Sequence, residues 1–313
     1  MQVFLKRVIG FTMLLLLLSV LADAGVSGGL RKTERGHFYT MNALMNKRMD
    51  ADIVILGNSR AAGSYHPLVL DSILHVNSRN LGVSGQPFGV SWLRWELYRR
   101  NNKLPKLLIV NIDYDELRMI SNGYEREQYY PYLSDTLVKP YLDLYGFSWA
   151  DKHVPMYRYR GDYKLIGIGL TELLGIRHDK KGNYYKGYSN PNEPWDGERL
   201  ENKLKSGDVK GCSDTRAVNL LEELLKQSVE DGFQVVFVYA PLYERLKKHL
   251  AEDETLRVYH ELSDRYHVPI LDFSQMEFCS DSSFFRDANH PNSEGASLFT
   301  RRLAHEIDSL SIF

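Results

Sequence analysis

Ser59, Asp287 and His290 are the residues whose types and settings suit a proton relay. Ser59 ends the run Ile53-Val54-Ile55-Leu56-Gly57-Asn58-Ser59, where an apolar β-branched stretch stops at small, turn-forming residues. A serine hydroxyl is a weak nucleophile at its own pKa and needs a base beside it. Asp287-Ala288-Asn289-His290 supplies an acid and an imidazole three residues apart, just ahead of the last helix-like segment. Together the three suit a nucleophile, an orienting acid and a base, and the chain order Ser, Asp, His is one that triads use. Taken singly, the same residues read more simply. A serine after a strand caps or turns, and an aspartate and histidine before a helix serve as a cap and a surface ring. His66 is a rival base by proximity, but its place before Pro67 marks a helix start. Gly57 to Gly63 lacks the spacing and the lysine of a P-loop, and Ala61 fills the last position of a G-x-S-x-G elbow. Arg60 can guide an anionic substrate or form a surface salt bridge, and the second reading is preferred.

These residues need elements to hold them. The apolar runs at 52–56, 79–83, 106–112, 233–239 and 268–273 alternate with amphipathic stretches, the pattern of a parallel sheet covered by helices on both faces. Helices are expected at 67–74, 90–100, from an N-cap at Ser213 to Gly232, over 241–266 and from Asn292 or Ser293 to Ile307. Ser59 would then sit at the carboxyl end of the first strand, where open α/β sheets place their chemistry. Between about 116 and 205 the rhythm breaks. Thirteen of the twenty tyrosines fall between Tyr114 and Tyr188, so this stretch is an insertion or lid rather than a plain loop. Its rings suit a sugar or another partly apolar ligand, or else they fill a satellite core.

The chain's 313 residues and 43% hydrophobic content allow a sizeable core, and a net charge of −1 argues against a nucleic-acid partner. No metal-ligand spacing is present, and no cofactor is implied. Cys212 and Cys279 are the only cysteines, and they either pair outside the cytosol or stay as free thiols. Lys6 and Arg7 precede an uncharged run from Val8 to Ala22, and Ala22-Asp23-Ala24 resembles a cleavage signal. Residues 1–30 are thus a signal peptide or a retained anchor. In either case the rest of the chain is exported to the periplasm or cell envelope. Residues 31–50 read as a linker with a short packing helix.

Several blocks together resemble the SGNH/GDSL hydrolases, and most closely their exported, often membrane-anchored bacterial branch of envelope acyl esterases and O-acyltransferases. Gly57-Asn58-Ser59-Arg60 matches the block that carries the nucleophile, with Asn58 in place of the usual aspartate. Asn80-Leu81-Gly82-Val83-Ser84-Gly85 matches the second block, and Asp287-Ala288-Asn289-His290 the D-x-x-H block. The similarity covers about 51–113 and 213–309. It implies a flavodoxin-like three-layer αβα sandwich with a five-stranded parallel sheet, spanning 51–313 and interrupted by the tyrosine-rich insertion. It also implies a triad of Ser59, Asp287 and His290, with the Ser59 and Gly85 amides as oxyanion donors. The third block departs from the pattern. The family's donor asparagine has no direct counterpart in Asn111-Ile112-Asp113-Tyr114, where Asn111 falls early and Tyr114 nearest the place.

The expected activity is removal of an O-acyl group, such as O-acetyl, from a carbohydrate or envelope polymer. Transfer of that group to a sugar hydroxyl is the alternative, and a non-catalytic glycan-binding or assembly protein on the same fold is a third reading. The partner is an ester of a small molecule or a polysaccharide, together with the membrane if the leader is uncleaved.

Overall fold

The structure is a computed structural model, and it describes residues 1–46, 49–119, 125–176, 185–191, 193–206, 213–250 and 254–312. The chain opens with helices α1 (Gln2–Leu30) and α2 (Gly36–Met45), then strand β1 (Ile53–Leu56). Helices α3 (Ser59–Ser64) and α4 (Pro67–Leu74) lead to β2 (Ser78–Asn80), α5 (Phe88–Asn101) and β3 (Leu107–Asn111). The middle holds α6 (Trp149–His153), α7 (Tyr163–Leu173) and α8 (Gly197–Ser206). Then come α9 (Thr215–Asp231), β4 (Gln234–Tyr239), α10 (Glu244–His249), α11 (Glu254–Tyr266) and β5 (Ile270–Asp272). A short ribbon of β6 (Phe285–Asp287) and β7 (His290–Pro291) precedes α12 (Ser293–Ser309).

Two compact units result: Met1–Asn42 with Asn122–Gly182, and Ala43–Ser121 with Asn183–Phe313. In the second, five strands pair in parallel in the order β2-β1-β3-β4-β5. This order places a topological switch between β1 and β3, and ligand crevices of such sheets open at the carboxyl ends of the strands there. The β1 and β3 side chains are buried on both faces, which is why these runs are continuously apolar rather than alternating. On one face Ile53, Ile55, Leu107, Ile109, Val236 and Val238 meet Phe299, Leu303 and Ile307 of α12 and Leu70 of α4. On the other, Trp95 of α5 lies tilted against Phe233 and donates its indole N–H to Gln227 of α9 at 2.9 Å, and Phe237 meets Tyr259 of α11 edge-on. The expected three-layer αβα sheet fold is therefore present.

Details differ from the sequence reading. The expected helix over 241–266 is two, α10 and α11, because its leucine stripe jumps from Leu250 to Leu256, a step that leaves one helical face. Asp214, not Ser213, caps α9 by accepting the Arg216 N–H at 2.8 Å. His66 caps α4 through Nδ1, as its place before Pro67 suggested. Cys212 lies outside the described residues, so its pairing does too. Cys279 is a buried free thiol that burial pushes up to about 11.

In the first unit, the segment leading into α2 is held rather than loose. Asn42 donates to the carbonyls of Leu30 and Thr33 at 2.8 Å and accepts the Tyr132 hydroxyl at 2.7 Å. Tyr129, Tyr130, Tyr132, Tyr145 and Tyr159 are buried there, with Tyr130 edge-on to Phe147 and Tyr159. These rings fill the unit's own core. The ends of the stretch expected as one insertion, up to Ser121 and from Asn183, belong to the sheet unit.

One backbone position tests the exit of β1. Gly57 has φ +144°, and a Cβ there would lie 2.8 Å from both Ala61 Cβ and Asn111 Cβ. Gly57→Ala is expected to lower unfolding stability by about 1–3 kcal/mol in denaturant titration. An unchanged midpoint would mean that this turn relaxes freely.

Candidate active site

The site grows from the turn after β1. Asn58 caps α3: its side-chain oxygen accepts the Arg60 N–H at 2.9 Å, and its Nδ2 donates to Asp113 at 3.1 Å. Ser59 is therefore the first residue of a helix whose entry is fixed from both sides. Arg60 differs from expectation. It is 1% exposed, not a surface residue, and its guanidinium pairs with Asp113 at 2.8 Å while donating to the Ala240 carbonyl. The small side chains that follow it, Ala61-Ala62-Gly63, let α3 pack close, so Arg60 is enclosed along with them.

The second loop is stapled to this turn. Asn80 donates to the carbonyls of Ala61 (2.7 Å) and Tyr65 (3.0 Å) and accepts the Gly82 N–H (2.9 Å). The Val83 N–H donates to the Gly57 carbonyl at 3.0 Å. Gly85 stands at the exposed tip of this loop with φ +68°. Its N–H has no hydrogen-bond partner among the described residues, the condition an oxyanion donor must meet.

The aspartate and histidine face each other across the β6–β7 ribbon, paired as Asp287 and His290 with Ala288-Asn289 as the turn. His290 Nδ1 lies 2.8 and 2.9 Å from the two Asp287 oxygens, and Nε2 lies 2.8 Å from Ser59 Oγ. A carboxylate at Nδ1 fixes the proton there and leaves Nε2 free to accept the serine hydroxyl. Asp287 also accepts the Asn289 N–H at 2.9 Å and the His290 N–H at 3.1 Å.

No family model matches the chain, and no curated protein does. Among solved structures, a candidate acylhydrolase from Bacteroides fragilis NCTC 9343 aligns at 10% identity over 82% of this chain and 86% of its own, with a TM-score of 0.36. At that identity and score the likeness adds nothing to the geometry.

Electrostatics set the protonation states. Burial pushes the Asp287 carboxyl up, but the hydrogen bond and charge of His290, the Asn289 amide and Arg199 outweigh it, and the group ends well below the usual carboxylate range. His290 moves down from its ordinary value because burial disfavours the imidazolium; Asp287 opposes this shift, while Arg286 and Arg60 add to it. The ring is thus neutral and accepting near pH 7.

The third-block residues behave differently. Asn111, the last residue of β3, is fully buried, and its oxygen accepts the Tyr65 hydroxyl at 2.8 Å, so it is sealed from solvent. Tyr114 directs its hydroxyl at Asn289 at 3.3 Å, and Lys203 of α8 donates to its oxygen and lies 5.1 Å from the ring centroid. The phenol proton is thus committed. Burial, with Asp113 next, raises its pKa, and burial lowers that of Lys203. Nothing local in the sequence marks Lys203, Arg199 or the Arg60–Asp113 pair, since each meets a partner more than fifty residues away.

Removing one member of a buried pair strands the other charge. Arg60→Ala is expected to cost about 3–5 kcal/mol of stability by denaturant titration, and adding Asp113→Ala to cost less than the two single losses summed. Additive losses would mean the pair is not coupled.

Proposed function

We propose that this chain is a serine ester hydrolase of the SGNH kind, removing an O-acyl group, such as O-acetyl, from a carbohydrate or cell-envelope substrate. The observation that supports it is the unbroken relay Ser59 Oγ, His290 Nε2, His290 Nδ1 and Asp287, with every link at 2.8–2.9 Å. The carbohydrate part rests on the resemblance alone.

The chemistry follows from the relay. Ser59 Oγ attacks the acyl carbonyl carbon as its proton passes to His290 Nε2. Negative charge collects on the carbonyl oxygen, where the Ser59 and Gly85 amides donate. Asp287 stabilises the imidazolium without taking its proton. The intermediate collapses, the C–O bond to the alcohol breaks, and His290 returns the proton to the departing oxygen. Water then adds to the Ser59 ester, giving up a proton to His290, and the acid leaves as the serine regains its hydrogen. With Asn111 buried and the Tyr114 proton committed, two backbone donors carry the oxyanion. Each such donor is worth about 10²–10³ in rate, so turnover is expected to be modest.

Two measurements test this reading. Ser59→Ala is expected to lower p-nitrophenyl acetate turnover by at least about 10³-fold, since the triad acts as a unit. Wild-type turnover in that variant would remove the nucleophile assignment. The base works when neutral, so kcat/KM falls as pH drops through the His290 pKa. Because that pKa is lowered, the acid limb is expected to have its midpoint below about 6.5. A midpoint above neutrality would contradict the buried, neutral ring.

A further inference from the structure

The first unit bears on the fate of the leader. α1 is one uninterrupted helix, and its apolar side chains from Val3 to Leu21 are exposed. The uncharged run Val8 to Ala22 rises only about 22 Å, short of the roughly 30 Å of a bilayer's hydrocarbon core. A span of that length takes in either Val3 to Leu5, ahead of the charges, or residues at and beyond Asp23, and the latter are built into the fold.

Asp23 accepts the Met156 N–H at 2.9 Å and pairs with the Arg158 guanidinium. Ser27 Oγ lies 2.7 Å from the Tyr159 hydroxyl and accepts from Arg158 at 3.2 Å. The polar groups of this helical turn are thus satisfied by protein, the condition for lying at membrane depth. Small residues bring α1 and α7 together. A Cβ on Gly29 would fall 1.7 Å from the Gly169 carbonyl oxygen, and one on Gly25 would fall 3.3 Å from Leu173. Leu173, at the carboxyl end of α7, is the residue that meets Gly25, two positions past Asp23 and so beside the apolar half of α1. At that end Leu174 and Ile176 are 68% and 71% exposed, with Leu170 and Leu173 exposed beside them.

We propose that α1 is retained as a membrane anchor and that the carboxyl end of α7 sits in the interface of the same bilayer, on the side away from Lys6 and Arg7. The occupant of the apolar end of α7 is lipid, since it continues the exposed apolar surface of the helix it is packed on. Cleavage after Ala24 would remove the carboxylate that Arg158 faces, leaving a guanidinium that is 12% exposed without its ion pair.

The test uses the full chain in bacterial membranes, with Cys212→Ser and Cys279→Ser and one new cysteine at a time, Ile176→Cys or Lys164→Cys. The reagent is a charged, membrane-impermeant maleimide applied to the exported side, before and after detergent. The chain is expected to pellet with membranes through an alkaline carbonate wash, with its N-terminal segment intact. Lys164→Cys is expected to label in both states, and Ile176→Cys only after detergent. A soluble product beginning at Gly25 would overturn retention. Labelling of Ile176→Cys in intact membranes as readily as Lys164→Cys would overturn the lipid contact, and so would protection that persists in detergent, which would mark a protein partner. None of these readouts depends on esterase activity.

Discussion

The charge pair between Arg60 and Asp113 sits where the exits of β1 and β3 meet, and the arrangement of the sheet's rim follows from it. Two ions this deeply buried must satisfy each other, because water is not there to do it. The pair therefore sets the turn after β1 and the loop after β3 in one relative position. Asn58 reinforces this by capping α3 with one end of its amide and holding Asp113 with the other. A serine placed one residue from such a clamp has little freedom of direction, and a proton relay needs that restriction.

The partner side is built by a different device. A two-residue turn between β6 and β7 sets Asp287 and His290 opposite each other, so the acid orients the ring through local geometry. Only one long-range contact, from His290 to Ser59, must then be met. Burial does two opposed things at this point. It lowers the pKa of His290, keeping the ring neutral, while local donors hold Asp287 ionised. The pairing yields an accepting imidazole next to a permanent negative charge.

The fold was legible in the sequence because its signals are local. Apolar runs at 53–56, 107–111 and 234–239 alternate with amphipathic stripes, and parallel burial makes those runs continuous. The D-x-x-H spacing and the small-residue turn at Gly57-Asn58-Ser59 were likewise readable, and the structure brings their side chains into contact. Arg60 reads as a surface residue because nothing near it in sequence shows that Asp113 waits inside. Lys203 is unmarked for the same reason, since its partner Tyr114 lies 89 positions away. The tyrosines of the first unit show the limit of composition: a ring suited to a sugar is equally suited to a core, and only burial separates the two.

The proposed mechanism turns on Ser59 being a nucleophile made reactive by His290. Mass mapping of the adduct formed by a fluorophosphonate reads this directly. One modified residue is expected, Ser59, with loss of that adduct in His290→Ala. An adduct on another serine, or Ser59 labelling undiminished without the imidazole, would contradict it.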